Sequence, residues 1–248
     1  MKNYKQKQYD SLTKEYSDPL DKRIIRKYSI IPSFLKILGK LKGKTVLDVA
    51  CGSGTSTKPI KKAGAKEVVG IDISKEMVNI AIKEEKENKL GIQYFVRDLR
   101  TLEKIKEFDF VTGIYILHYA KSKEDLLKMI KSVFINLKKG GKFLTILPNP
   151  KNPTQKDPRY EYVNEYIEKK EDGSKMSGIF VFNKKILGKI VWFSWKEETY
   201  VSLLKKVGFR RVKWIKPKIT KDGIKKYGKD FWKPFQKNPS LMFLEVKK

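Results

Sequence analysis

The sequence predicts an α/β protein: a doubly wound, seven-stranded, mostly parallel sheet with a small β-rich lid inserted late in the chain. Three observations carry that prediction. Short apolar runs alternate with amphipathic segments across residues 44–147, the pattern of strands joined by crossover helices. The first run, Val46-Leu47-Asp48-Val49, breaks into a glycine loop, Cys51-Gly52-Ser53-Gly54, that opens onto a helix-compatible stretch. Beyond residue 150 the pattern changes to short, aromatic-rich runs set off by prolines and glycines.

In chain order, residues 1–43 read as a helical cap. Tyr4–Tyr16 suits a short helix with aromatics at Tyr9 and Tyr16, and Asp18-Pro19 breaks it. Leu20–Leu38 places Ile24, Ile25, Tyr28, Ile31, Phe34, Leu35 and Leu38 at near-helical spacing, with a kink or split expected at Pro32. Residues 44–150 form the predicted core. Its strands are expected from Thr45 through the glycine loop, at Glu67–Ile73, at Ile92–Val96, at Phe108–Ile116 and at Lys142–Leu147. Helices are expected at Ser56–Lys62, at Lys75–Lys89 and at Lys123–Leu137, with Lys138-Lys139-Gly140-Gly141 as the stop. Residues 151–196 read as a lid of three strands, Tyr160–Ile167, Gly178–Phe182 and Lys189–Trp195, turning at Asp172-Gly173. Residues 197–248 complete the sheet, with a helix through Val207 and two strands, Arg210–Ile215 and Leu241–Val246.

Composition bounds the chemistry. One cysteine, Cys51, excludes an internal disulfide, and with a single histidine, His118, no zinc centre is expected. No stretch approaches the 18 apolar residues of a membrane span, and the polar N-terminus lacks a signal-peptide core, so the expectation is a soluble, cytoplasmic protein with no membrane partner. The formal net charge of +28 invites a nucleic-acid reading, but only seven of the 56 basic residues are Arg. Lys spread through every segment reads as a solvated basic face ahead of a phosphate or base-edge site. The excess is greatest in Val201–Lys248, where only Asp222, Asp230 and Glu245 oppose it.

The glycine loop is the centre of the functional reading. Gly52 and Gly54 can take positive φ and let a ligand approach the backbone, which points to a nucleotide-type cofactor or, in the bland case, an ordinary βα turn. Asp72 ends the second strand 20 residues after Gly52, the offset at which a carboxylate can accept ribose hydroxyls; capping the next helix is its alternative, a role Ser74 fills as well. Asp98 follows the third strand and could accept from an adenine amino group. Thr57 stands where a dinucleotide fold would place its third glycine, which argues against NAD.

Together the ordered motifs D-V-A-C-G-S-G at 48–54, G-I-D-I-S at 70–74 with Met77, R-D-L at 97–99, F-D-F-V at 108–111 and L-K-K-G-G at 137–141 resemble those of class I S-adenosylmethionine-dependent methyltransferases. The likeness covers about residues 44–150. Ala50 departs from it, standing where the family commonly has glycine. Outside the core, Y-D-S-L-T-K-E-Y at 9–16, I-L-H-Y-A at 116–120 and the tail motifs are similar to the toxoflavin synthase-like branch of small-molecule methyltransferases. The resemblance implies S-adenosylmethionine as cofactor. Asp48 and the backbone of Ala50, Gly52 and Gly54 would hold its methionine part, Asp72 the ribose, Ile73, Met77 and Leu99 the adenine faces, and Asp98 the adenine amino group. Ile114 and Tyr115 would finish the methionine site, and Tyr9 and Tyr16 would close over it or simply pack the cap.

A sulfonium methyl is already reactive, so alignment matters more than any side chain; a base is needed only for an acceptor that stays protonated. His118 is the candidate base, with a structural hydrogen-bonding role as its alternative, and Tyr115 and Tyr119 either line the pocket or fill the core. The leading expectation is methylation of a nitrogen or oxygen of a small molecule, capped by lid aromatics such as Tyr160, Tyr162 and Trp192. Two alternatives stand beside it: a tRNA or rRNA methyltransferase using the basic C-terminal surface, and a non-catalytic binding protein that keeps the fold.

Overall fold

The structure, a computed structural model, describes residues 23–160, 162–182 and 185–248. Its seven-stranded sheet runs β3 (Ile92–Val96), β2 (Glu67–Asp72), β1 (Thr45–Val49), β4 (Phe108–Ile114), β5 (Leu137–Pro148), β10 (Leu241–Lys247), β9 (Arg210–Ile215). Neighbouring strands from β3 through β5 are parallel, and β10 is antiparallel to both β5 and β9. The order reverses at β1, where the chain passes outward to β2 and β3 and then back across to β4. A crevice opens at such a switch point, outside the carboxyl ends of the strands.

Alternation within the strands sorts the core into two layers. Leu47 and Val49 face one layer with Val69, Ile71 and Phe143, covered by α4 (Lys123–Ile135) and α5 (Glu197–Val207) through Leu126, Ile130, Val133, Tyr200 and Leu204. Val46 faces the other with Val68, Leu144 and Ile146, covered by α1 (Ile31–Leu38), α2 (Thr57–Lys62) and α3 (Lys75–Asn88) through Phe34, Ile60 and Val78. Ser74 caps α3, its hydroxyl accepting from the Met77 N–H at 3.2 Å.

Three differences from the sequence reading have clear physical causes. The helix before β1 is not simply kinked at Pro32: Arg26–Ile30 is a π-helical turn that feeds α1, with Pro32 tolerated in the first turn of the α-helical part. The strand expected to reach Ile116 stops at Ile114 because Tyr115 takes φ 64°, which breaks the extended backbone. Two helices, α6 (Lys221–Tyr227) and α7 (Lys229–Lys237), fill a stretch with no predicted element. Each is short, and Gly223, Gly228 and Pro234 mask their periodicity; tertiary burial of Trp232 and Phe235 holds them in place.

The lid is a three-stranded antiparallel sheet, β6 (Tyr162–Tyr166), β7 (Ser174–Phe182) and β8 (Lys185–Ser194). It is seated on the turn after β4: Met176, Ile190 and Trp192 cluster with Tyr119. Asp172 staples its base to α5, accepting from the Lys196 N–H at 2.8 Å and the Thr199 hydroxyl at 2.7 Å.

At the opposite end of the sheet, Asp109 accepts from the Thr45 N–H and hydroxyl, each at 2.9 Å, and from Lys138 at 3.0 Å. Burial pushes its carboxyl up, but these donors outweigh burial and hold it at about 2, below the ordinary 3.8. A depressed carboxylate stabilises the fold above the ordinary value and loses that contribution as pH falls toward 2, a difference of about 2 kcal/mol. Asp109→Asn is therefore expected to lower stability at pH 6 and to flatten its decline between pH 4 and 2, read from urea midpoints across that range.

Candidate functional site

The carboxyl ends of β1, β2 and β4 open into a cavity. The loop after β1 forms its floor. Ala50 and Gly52 both take φ 56°, and Gly54 takes φ 82°. For Ala50 that conformation carries a modest steric cost, which is the physical reason a glycine suits this position. A Cβ added at Gly52 would meet nothing within 4 Å, so the bare backbone faces open space. Gly54 differs: its missing Cβ makes room for Tyr94, whose hydroxyl oxygen would lie 2.5 Å from it, and Gly54 does not line the cavity.

Asp72 ties the loop to β2. Its Oδ2 accepts from the Gly52 N–H and its Oδ1 from the Ser74 N–H, both at 2.8 Å. Burial raises its carboxyl above the usual range, against the pull of these backbone donors. Two N–H bonds leave lone pairs on both oxygens, and Asp72 lines the cavity.

Asp48 lies elsewhere than the resemblance implies. Its side chain is fully buried behind the loop, where Oδ2 accepts from Thr57 at 2.7 Å and Ser56 at 3.1 Å, and Oδ1 from Thr112 at 2.7 Å. It does not line the cavity. Burial pushes its carboxyl up, and the three hydroxyls and the charge of Arg26 oppose that. It is a strut joining β1, β4 and the start of α2.

Of the other expected cofactor residues, Ile73, Met77, Asp98, Leu99, Ile114 and Tyr115 all line the cavity with Ala50 and Gly52. Asp98 is gripped by Arg100, whose Nε lies 3.0 and 3.1 Å from its two oxygens and whose Nη2 also donates to Oδ2. Tyr9 and Tyr16 lie outside the described residues. Among the lining residues that the sequence reading did not single out are three arginines: Arg97, Arg100, and Arg26, buried in the π-helical turn with its Nη2 donating to the Thr55 hydroxyl at 2.7 Å. No local motif marks Arg26, since its partner is 29 residues away.

A second cavity, about 710 Å³ counted out to its mouth, adjoins the first. Arg26, Tyr115 and Tyr119 line both. Tyr115 is a non-glycine residue with φ 64° at this shared wall, a strained backbone of the kind that clusters at functional sites. His118 lines the second cavity only, 97% buried, its ring centroid 4.4 Å from that of Tyr119 and 5.6 Å from that of Trp192. Tyr160 and Tyr162 line it from the lid side, whereas Trp192 is buried against Met176 and Ile190.

Residues 46–141 match the methyltransferase domain family. A ubiquinone biosynthesis O-methyltransferase of Coxiella burnetii is 37% identical over 112 residues, 44% of this chain and 46% of that protein. One from Pelagibacter ubique is 37% identical over 101 residues, 41% of this chain and 40% of that protein. Each match thus spans less than half of the relative's length. Among solved structures, an S-adenosylmethionine-dependent methyltransferase from Mesorhizobium loti superposes with a TM-score of 0.63 at 18% identity, covering 92% of this chain and all of that one. A Listeria monocytogenes protein described as a putative S-adenosylmethionine-dependent methyltransferase gives 0.61 at 23% identity, covering 86% and 93%. The fold is that of S-adenosylmethionine-dependent methyltransferases.

Proposed function

We propose that this chain is an S-adenosylmethionine-dependent methyltransferase that methylates an oxygen or nitrogen of a small molecule. The observation that carries the reading is the pair of cavities meeting at one wall: a polar-floored cavity at the strand ends, and an aromatic one sharing Arg26, Tyr115 and Tyr119 with it. The residues of the first cavity suit the cofactor. Gly52 offers backbone with open space above it, Asp72 offers two carboxylate oxygens with lone pairs to spare for ribose hydroxyls, and Ile73, Met77 and Leu99 offer apolar surface for a purine. Of the arginines lining the cavity, Arg26 is the one tied to the glycine loop through Thr55 and would receive the methionine carboxylate, and Asp98 would accept from the adenine amino group.

When bound, S-adenosylmethionine supplies a methyl whose bond to sulfur breaks, the electron pair staying on sulfur, as the acceptor's lone pair bonds to carbon. The chain's part is to align the partners across the shared wall and to exclude water. His118, beside the second cavity, takes the proton of an acceptor hydroxyl or N–H, which His can do near neutral pH. The likeness to ubiquinone-pathway O-methyltransferases favours an oxygen acceptor, and the toxoflavin synthase-like features of the sequence favour a small heterocycle; both fit the small-molecule reading.

Isothermal titration with S-adenosylmethionine tests the reading. One-site binding is expected, followed by transfer of labelled methyl from the cofactor into the small-molecule fraction of a cell extract. Absence of binding at millimolar cofactor would overturn it, and label appearing in RNA alone would replace the acceptor class.

A further inference from the structure

The second cavity holds two hydrogen-bonding groups that the fold leaves unused. Ser240 lines it at 3% exposure, and its hydroxyl has no hydrogen-bond partner among the described residues. Gln155, in the loop between β5 and the lid, lines the cavity too. Its Oε1 accepts from the Asp157 N–H at 3.0 Å, which sets the orientation of the carboxamide and leaves both Nε2 hydrogens unpaired among the described residues. Both groups stand on fixed backbone. Gln155 is tied twice to Asn164 of β6, donating at 3.1 Å and accepting at 2.8 Å. Its loop is stapled to the segment that carries Ser240: the Asn149 N–H donates to the Ser240 carbonyl and the Asn149 Nδ2 to the Pro239 carbonyl, each at 2.7 Å. Neither Ser240 nor Gln155 lines the first cavity, and the two arginines that share the second cavity with them have partners of their own.

The place of Ser240 in the sheet sets the length of an occupant. β4, β5 and β10 lie side by side; Tyr115 follows β4 at the shared wall, and Ser240 immediately precedes β10. Two strand spacings of about 4.8 Å put Ser240 roughly 10 Å from that wall. Much of the remaining lining is flat or apolar, with Tyr119, Tyr160, Tyr162, Pro148 and Leu241 prominent in it. The Tyr160 hydroxyl donates to the Phe231 carbonyl at 2.7 Å, so its ring is what it offers an occupant. A hydroxyl and a carboxamide NH₂ both donate, and one carbonyl oxygen has two lone pairs to receive them. We infer that the second cavity takes a fused bicyclic aromatic methyl acceptor with a ring carbonyl at the end away from the methylated atom, its oxygen accepting from Ser240 and Gln155. These two residues set specificity without touching the reacting atoms. The inference rests on the methyltransferase reading and names the substrate class for it.

The test uses the full chain saturated with S-adenosylhomocysteine and titrated calorimetrically with 6-hydroxycoumarin, with 6-hydroxyquinolin-2-one and with 2-naphthol, which keeps the bicyclic outline and lacks the carbonyl. At least one carbonyl compound is expected to bind about tenfold more tightly than 2-naphthol, the size of one to two neutral hydrogen bonds. Ser240→Ala and Gln155→Glu are each expected to reduce that preference by about threefold or more, with the affinities for 2-naphthol and for the cofactor unchanged. Neither substitution removes a bond of the fold, since the Ser240 hydroxyl has no partner and Gln155→Glu keeps an oxygen for the Asp157 N–H. A preference below about threefold on the unaltered chain overturns the inference, as does a panel in which none of the three compounds binds up to its solubility limit, or a pair of variants that both keep the full preference. The comparison between compounds is made on the unaltered chain and so decides the matter even where a variant does not fold. Failure of the unaltered chain to bind S-adenosylhomocysteine shows before any acceptor is added and overturns the methyltransferase reading instead.

Discussion

Asp72→Ala is expected to weaken S-adenosylmethionine binding by about 100-fold while leaving the fold intact. The carboxylate makes one bond to the loop floor at Gly52 and one to the cap of α3 at Ser74, each at 2.8 Å, and still faces the cavity. Hydrogen bonds to a charged group contribute about 1.5–3 kcal/mol each, so losing the ribose acceptor together with the tie on Gly52 corresponds to roughly 3 kcal/mol of binding. Asp72→Asn should fall between the two, because its NH₂ replaces one of two acceptor oxygens and faces a backbone N–H. Titration calorimetry reads the affinity, and a urea midpoint confirms that both chains are folded. Unchanged affinity in Asp72→Ala would remove this residue from the cofactor site.

The second large effect is on stability and concerns Asp48. Asp48→Ala is expected to cost about 3 kcal/mol of unfolding free energy, because three buried hydroxyls, on Ser56, Thr57 and Thr112, lose a shared acceptor at about 1 kcal/mol each. Cofactor affinity falls as a consequence, since the loop from Ala50 to Ser56 loses the strut that fixes its far end. The two effects separate the structural role from direct contact. An Asp48→Ala chain with an unchanged urea midpoint and no cofactor binding would place that carboxylate on the ligand after all.

Much of the core was legible in the sequence because its signals are local. β1, β2 and β3 sit where short apolar runs are bounded by glycine and polar residues, and Ser74 caps α3 as its position three residues before Met77 implies. That Asp72 and Asp98, which follow strand ends, both line the cavity was legible for the same reason: in a parallel sheet every strand end of one polarity lies on one edge. α6 and α7 were not legible, because glycine and proline interrupt short helices whose stability comes from burying Trp232 and Phe235. The lid strands were placed approximately. Their aromatics looked equivalent, yet the structure splits them, with Tyr160 and Tyr162 on a cavity and Trp192 in a packed cluster.

By itself, then, the sequence determined the sheet, the glycine loop and the edge at which the cavity opens, all through interactions between residues close in the chain or through strand polarity. Only the tertiary structure decided what each side chain does there. Asp48 reaches Thr112 across 64 residues and so turns away from the cavity, and Gly54 yields its space to Tyr94. Arg26 meets Thr55 across 29 residues, and Arg23 joins tyrosines from the turn after β4 and from the lid around a second cavity. Burial and hydrogen-bond partners at such separations follow from how the layers pack, and no local pattern of residues encodes them.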